Sequence, residues 1–172
     1  MASLIQNLEE ILTRETTEYE GLIELSRQKT SVIVKGDIEA LQKITDEEQI
    51  TVAKINRIDA EREKAMKDVA AVLNMDVHEL KLSDLLQVLE RRPAERQKFA
   101  EVYDRLGKAL REMKQVNNQN RQLIENALEM TRYELNMLQS MRSAPETANY
   151  GANAMSDGLI MGSTQGSFDA KQ

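Results

Sequence analysis

The sequence predicts an all-α fold: an elongated antiparallel three-helix bundle or coiled coil, with a short connector helix and a flexible C-terminal tail. Three observations carry that reading. Of 172 residues, 30% are charged and 41% hydrophobic, yet only 3% are aromatic and none is Trp. That is the mixture of long helices and coiled coils. Gly numbers 7 and Pro 2, too few turn residues for a β-sandwich or a doubly wound sheet. Finally, apolar residues recur in alternating steps of three and four over long stretches, which is the heptad period.

The first helix is expected from about Leu4 to Val34. Ile5, Leu8, Leu12, Tyr19, Leu22 and Ile33 keep near-heptad spacing, and Ile11, Ile23 and Leu25 widen the stripe. Lys35-Gly36-Asp37 ends it: Gly takes the left-handed conformation that closes a helix, and Asp37 caps the next. So short a connection sends the second helix back antiparallel. That helix extends from Ile38 to about Leu73, with Leu41, Thr45, Glu48, Val52, Ile55, Met66, Val69 and Leu73 in register and a less apolar stretch at Asp59 and Arg62. Asn74-Met75-Asp76 interrupts the pattern. Residues 74–93 then read as a connector, in which Ser83 is the expected N-cap of a short helix (SDLLQVLERR) that Pro93 kinks or closes.

The third long helix is expected from about Ala94 to Met141. Its seam runs Phe99, Val102, Leu106, Ala109, Met113, Val116, Asn120, Leu123, Ala127, Met130, Glu134, Met137, Met141. At ~1.5 Å per residue it spans about 70 Å, and no helix of that length buries its stripe alone. From Arg142 the character changes. The tail holds four of the seven Gly and one of the two Pro, with no sustained period, so it is expected to be disordered in isolation. Tyr150, Leu159-Ile160-Met161 and Phe168 stand in it as apolar beads, a candidate docking motif. The expected domains are therefore 1–141, a helical bundle, and 142–172, a flexible tail.

Composition excludes much chemistry. With no Cys and a single His, His78, there is no thiolate site, no His pair for zinc and no Glu-x-x-His repeat for a di-iron bundle. No phosphate loop, nucleophile elbow or calcium loop occurs. The carboxylates of Glu9-Glu10 and Asp46-Glu47-Glu48 read as solvated faces or partners of i+4 cations. A net charge of −6 speaks against nucleic acid, whose affinity comes from clustered Lys and Arg. The opening MASLIQNLEEIL lacks a basic n-region, and no apolar run is long enough to span a bilayer. The expectation is a cytoplasmic non-enzyme with no cofactor and no membrane insertion.

The informative feature is a change within the last long helix. Projected at 100° per residue, the apolar side chains from Phe99 to Val116 fill an arc of about 140°, and those from Leu123 to Met141 about 220°. One bundle face does not cover so wide an arc. Leu123, Ile124, Leu128, Met130, Leu135, Met137, Leu138 and Met141 are accordingly the candidate partner-binding residues. Five of the nine Met lie in the last quarter of the chain, and Met conforms to differing partners better than branched residues do. Asn120, polar on the seam, either fixes register or marks where the bundle core gives way to the binding half.

Taken together these residues resemble the FlgN family of flagellar type III export chaperones. The likeness lies in the Leu-rich opening with Glu15, Tyr19 and Leu22, the Gly36-Asp37 turn, and Ile44-Thr45 followed by Glu48 and Arg62. It continues in Asn117-x-x-Asn120-x-x-Leu123-Ile124 and a tail bearing a Tyr. The resemblance implies a chaperone without enzymatic activity. Such proteins bind the amphipathic terminal helices of hook–filament junction proteins, prevent premature assembly, and deliver these clients to the cytoplasmic domain of the export-gate membrane protein. By position, Tyr150 matches the family's tail Tyr for export-gate docking. Two other readings stay open: a structural homodimeric coiled coil, and an adaptor sequestering a regulatory partner.

Overall fold

A computed structural model describes residues 2–143. Among them are four helices and no strand: α1 (Ala2–Lys35), α2 (Ile38–Leu73), α3 (Leu82–Val88) and α4 (Pro93–Ser143). The chain divides into two units, Met1–Arg132 and Tyr133–Gln172. In the first, α1, α2 and most of α4 pack side by side.

The turn between α1 and α2 forms as its residues predict. Gly36 sits at φ 68°, a left-handed conformation that costs glycine nothing because it has no Cβ. The Asp37 N–H reaches back to the Val32 carbonyl at 3.2 Å, and the Asp37 carboxylate accepts the Ala40 N–H at 3.0 Å. One residue thus satisfies a stray carbonyl of α1 and a free amide of α2. Asn74, also left-handed at φ 55°, ends α2, and its neighbour Met75 donates to the Ala70 carbonyl at 3.0 Å.

The connector differs from expectation at both ends. Ser83 is not the N-cap: α3 starts at Leu82 after Lys81, whose N–H is accepted by the Asp84 carboxylate at 2.9 Å. An acid three residues into the segment satisfies that first donor from inside the helix, so no preceding Ser is needed. Nor does Pro93 close α3, which stops at Val88. Pro93 is instead the first residue of α4, where its missing N–H costs nothing and its fixed φ suits the helix. His78 is an exposed connector residue whose backbone N–H donates to Asp76.

Ion pairs fix the helix directions. Arg14–Glu61 and Lys29–Glu48 (2.7 Å) join α1 to α2 in antiparallel order. Glu20–Arg105 (2.6 Å) and Arg27–Glu112 join α1 to α4, both ascending, so these two run parallel. The core lies in two clusters. The larger is built on Ile5, Leu8, Leu12, Val69 and Phe99, and it is closed by Leu85 of α3 and by Leu89 just past the end of that helix. The smaller joins Leu22, Ile23, Ile55, Ala109 and Met113. Each fully buried Leu, Ile or Phe contributes about 1.5–3 kcal/mol, so these seam residues hold the helices together. In the second unit, Tyr133 to Arg142 continue α4 with every side chain exposed.

Candidate functional site

Two polar layers interrupt the apolar seam of the first unit. At the first, Glu15 on α1 is 3% exposed and faces Arg62 on α2. Its Oε2 accepts no hydrogen bond, and the Arg62 Nε lies 3.6 Å away. Burial pushes the Glu15 carboxyl above its ordinary range; Arg62 opposes that shift and Asp59 reinforces it. Arg62 also pairs with Asp59, so its charge is shared between two carboxylates. Tyr19 packs against both core clusters at this level.

The second layer joins three helices. Asn120 of α4 is buried, and its Nδ2 donates to the Ser26 carbonyl of α1 at 2.7 Å while its Oδ1 accepts from the Thr30 hydroxyl. The Ser26 hydroxyl donates to Glu48 of α2 at 2.8 Å, and Lys29 Nζ reaches the other Glu48 oxygen at 2.7 Å. Every member of this group has a partner, which is the condition for a buried polar network to hold rather than loosen a core. Of the two roles open to Asn120, its burial and cross-helix bonds fit register setting. Its place as the last buried residue described on α4 also makes it the end of the core.

Past Asn120 the character of α4 changes. Leu123 and Ile124 are half-buried. Leu128 (53%) and Met130, at the end of the first unit, are exposed. In the second unit Leu135, Met137, Leu138 and Met141 (68%) are exposed as well, and so is Tyr133. Seam positions of the same helix upstream are buried, among them Phe99, Leu106, Ala109 and Met113. Tyr150 lies outside the described residues, as do Met155, Leu159-Ile160-Met161, Phe168 and the whole expected tail from 144 onward.

The periodicity had a readable signal for the polar layers that the apolar count passes over. Counting the α1 heptad from Leu12 lands on Glu15 before Tyr19, and from Leu22 on Ser26. Both are buried, and so is Thr16. A polar residue in an otherwise unbroken heptad slot is the mark of such a layer.

Chemistry finds little purchase. Among the described residues no group of three His, Cys, Asp or Glu side chains is placed to hold a metal ion. No described helix is long and apolar enough to cross a membrane. The groove beside the start of α4 is lined by Glu9, Glu10, Glu95 and Glu101 with Lys98 and Arg14 between them. It carries both signs of charge on an open surface. In comparison with known proteins, the FlgN protein family model matches residues 1–158. No curated protein and no solved structure matches the chain.

Proposed function

Because the chain belongs to the FlgN family, we propose that it is a cytoplasmic flagellar export chaperone whose exposed α4 residues hold a client. The family is one of chaperones rather than enzymes. The proposed clients are the hook–filament junction proteins, bound by their amphipathic terminal helices before export. Tyr150 is the proposed contact to the cytoplasmic domain of the export-gate membrane protein.

One observation supports client binding on α4 above the rest: a helix whose seam is buried or half-buried as far as Asn120 carries Leu128, Met130, Leu135, Met137, Leu138 and Met141 uncovered beyond it. Exposed large apolar side chains in such number mark an interaction surface more than ordinary protein exterior. Three of the six are Met, whose unbranched, polarizable side chains adapt to more than one partner helix.

The test replaces Leu128 and Leu135 with Ser in the full chain and titrates a purified junction protein. Each Leu, once buried, contributes about 1.5–3 kcal/mol, so the pair together weakens affinity about a hundredfold or more. Thermal unfolding stays at the wild-type temperature, since both side chains are already exposed in the free protein. An earlier melt with unchanged affinity per folded molecule would mean that these residues serve the core, and the reading would fail.

A further inference from the structure

The exposed end of α4 carries one charge in the middle of its apolar arc. Leu106, Met113, Asn120, Ala127, Glu134 and Met141 form a single row at seven-residue spacing. Asn120 and Glu134 are its two polar members. Asn120 finds its partners inside the chain, at Ser26 and Thr30. Glu134 finds none: it is exposed, and it makes no ion pair or hydrogen bond among the described residues.

Helix geometry explains the lack. A Glu pairs along a helix with a cation three or four positions away, as Glu125 does with Arg121 and Glu39 with Lys43. Around Glu134 those positions hold Met130, Thr131, Met137 and Leu138. Arg132, two positions back, points about 160° away around the helix. In the second unit the carboxylate therefore stands beside exposed Met137, Leu138 and Met141 without a counter-charge among the described residues.

We propose that Glu134 is a specificity-determining residue, and that the α4 face takes an amphipathic helix bearing a Lys or Arg within its apolar stripe. The proposal rests on the client-binding reading above. A helix laid over Met137, Leu138 and Met141 strips water from Glu134. If that helix brings a cation, the lost hydration is replaced by a charge-assisted hydrogen bond. A wholly apolar stripe leaves the carboxylate buried and unpaired, and an acidic one adds repulsion. The adaptable Met side chains tolerate many shapes, and the single charge rejects the wrong ones. The same charge opposes an in-register parallel pair of this chain, in which Glu134 would meet Glu134.

The experiment uses the full chain and synthetic amphipathic helices of about 20 residues, identical except for one central stripe residue: Lys, Leu or Glu. Binding is read by fluorescence anisotropy. Wild type is expected to bind the Lys helix about tenfold more tightly than the Leu helix, with the Glu helix weakest. Added salt narrows the gap. Glu134→Gln removes the preference for Lys, and Glu134→Lys reverses the order so that the Glu helix binds best. Identical rankings for wild type and Glu134→Lys would overturn the charge rule while leaving the apolar face in place. Failure of all three helices to bind would overturn the face itself and the charge rule with it.

Discussion

Replacing Asn120 with Ala tests whether the three-helix polar layer stabilises the fold. The change removes two hydrogen bonds, one donated by Nδ2 to the Ser26 carbonyl and one accepted from Thr30. Each contributes about 1 kcal/mol net. The Thr30 hydroxyl is not orphaned, because the Ser26 carbonyl also lies 3.1 Å from it. Ala also favours the helix over Asn by about 0.6 kcal/mol, which offsets part of the loss. The expected destabilisation is therefore about 1.5 kcal/mol, or about 3–6 °C in melting temperature for a chain of this size. Urea unfolding of the full chain, followed by helical circular dichroism, measures it directly. Thr30→Val in the same cycle isolates the Asn120–Thr30 pair, whose coupling should be about 0.5–1.5 kcal/mol. A loss below about 0.3 kcal/mol with zero coupling would refute the reasoning: the layer would then be no better than the water it replaces.

Glu15 gives a prediction of the opposite sign. Burial raises its folded pKa above the unfolded value, so its contribution is most favourable below the unfolded pKa and is lost as pH rises through the folded one. Glu15→Gln should then melt higher than wild type at pH 7, with the difference shrinking as pH is lowered towards 4.5; a variant that melts lower at pH 7 would show that Arg62 outweighs burial. The comparison must be with wild type at each pH, because Glu20, held below its ordinary range by its hydrogen bond from Arg105, loses its stabilisation in the adjoining, more acid range, as pH falls from the unfolded carboxylate pKa through its own lowered folded one. Tyr150→Ala should leave folding and client affinity unchanged while weakening binding of the chaperone–client complex to the purified export-gate domain. Unchanged gate binding would remove Tyr150 from the mechanism and turn attention to Leu159, Ile160 and Phe168.

The helices, their order and the α1–α2 turn were legible because each rests on local chemistry. A heptad stripe, a left-handed Gly36 and a capping Asp37 act within a few residues of themselves. The connector was harder to read for a physical reason. Asp84 caps backwards onto Lys81 and Pro93 opens a helix instead of ending one, and an element of only seven residues is too short for its apolar period to show where it starts and stops. The burial of Glu15 and Ser26 was harder to read, because a count of apolar residues skips the slots they occupy. The heptad slots mark them as inward-facing, but their partners follow only from what α2 and α4 bring opposite them: Arg62 for one, Glu48 and Asn120 for the other.

The α4 seam shows most clearly where sequence stops and structure begins. Asn120 and Glu134 stand two heptads apart in one row, each polar where an apolar residue would pack better. Periodicity gives them the same status. Three-dimensional packing separates them, because α1 supplies Ser26 and Thr30 beside Asn120 and no described residue pairs with Glu134. A polar seam residue answered within the chain works for the fold, holding helices in register. One left unanswered among the described residues, on an exposed apolar arc, has to be answered by whatever covers that arc, or it weakens the contact. That difference turns a wide arc, which only says that something binds, into a statement about the charge its partner should carry.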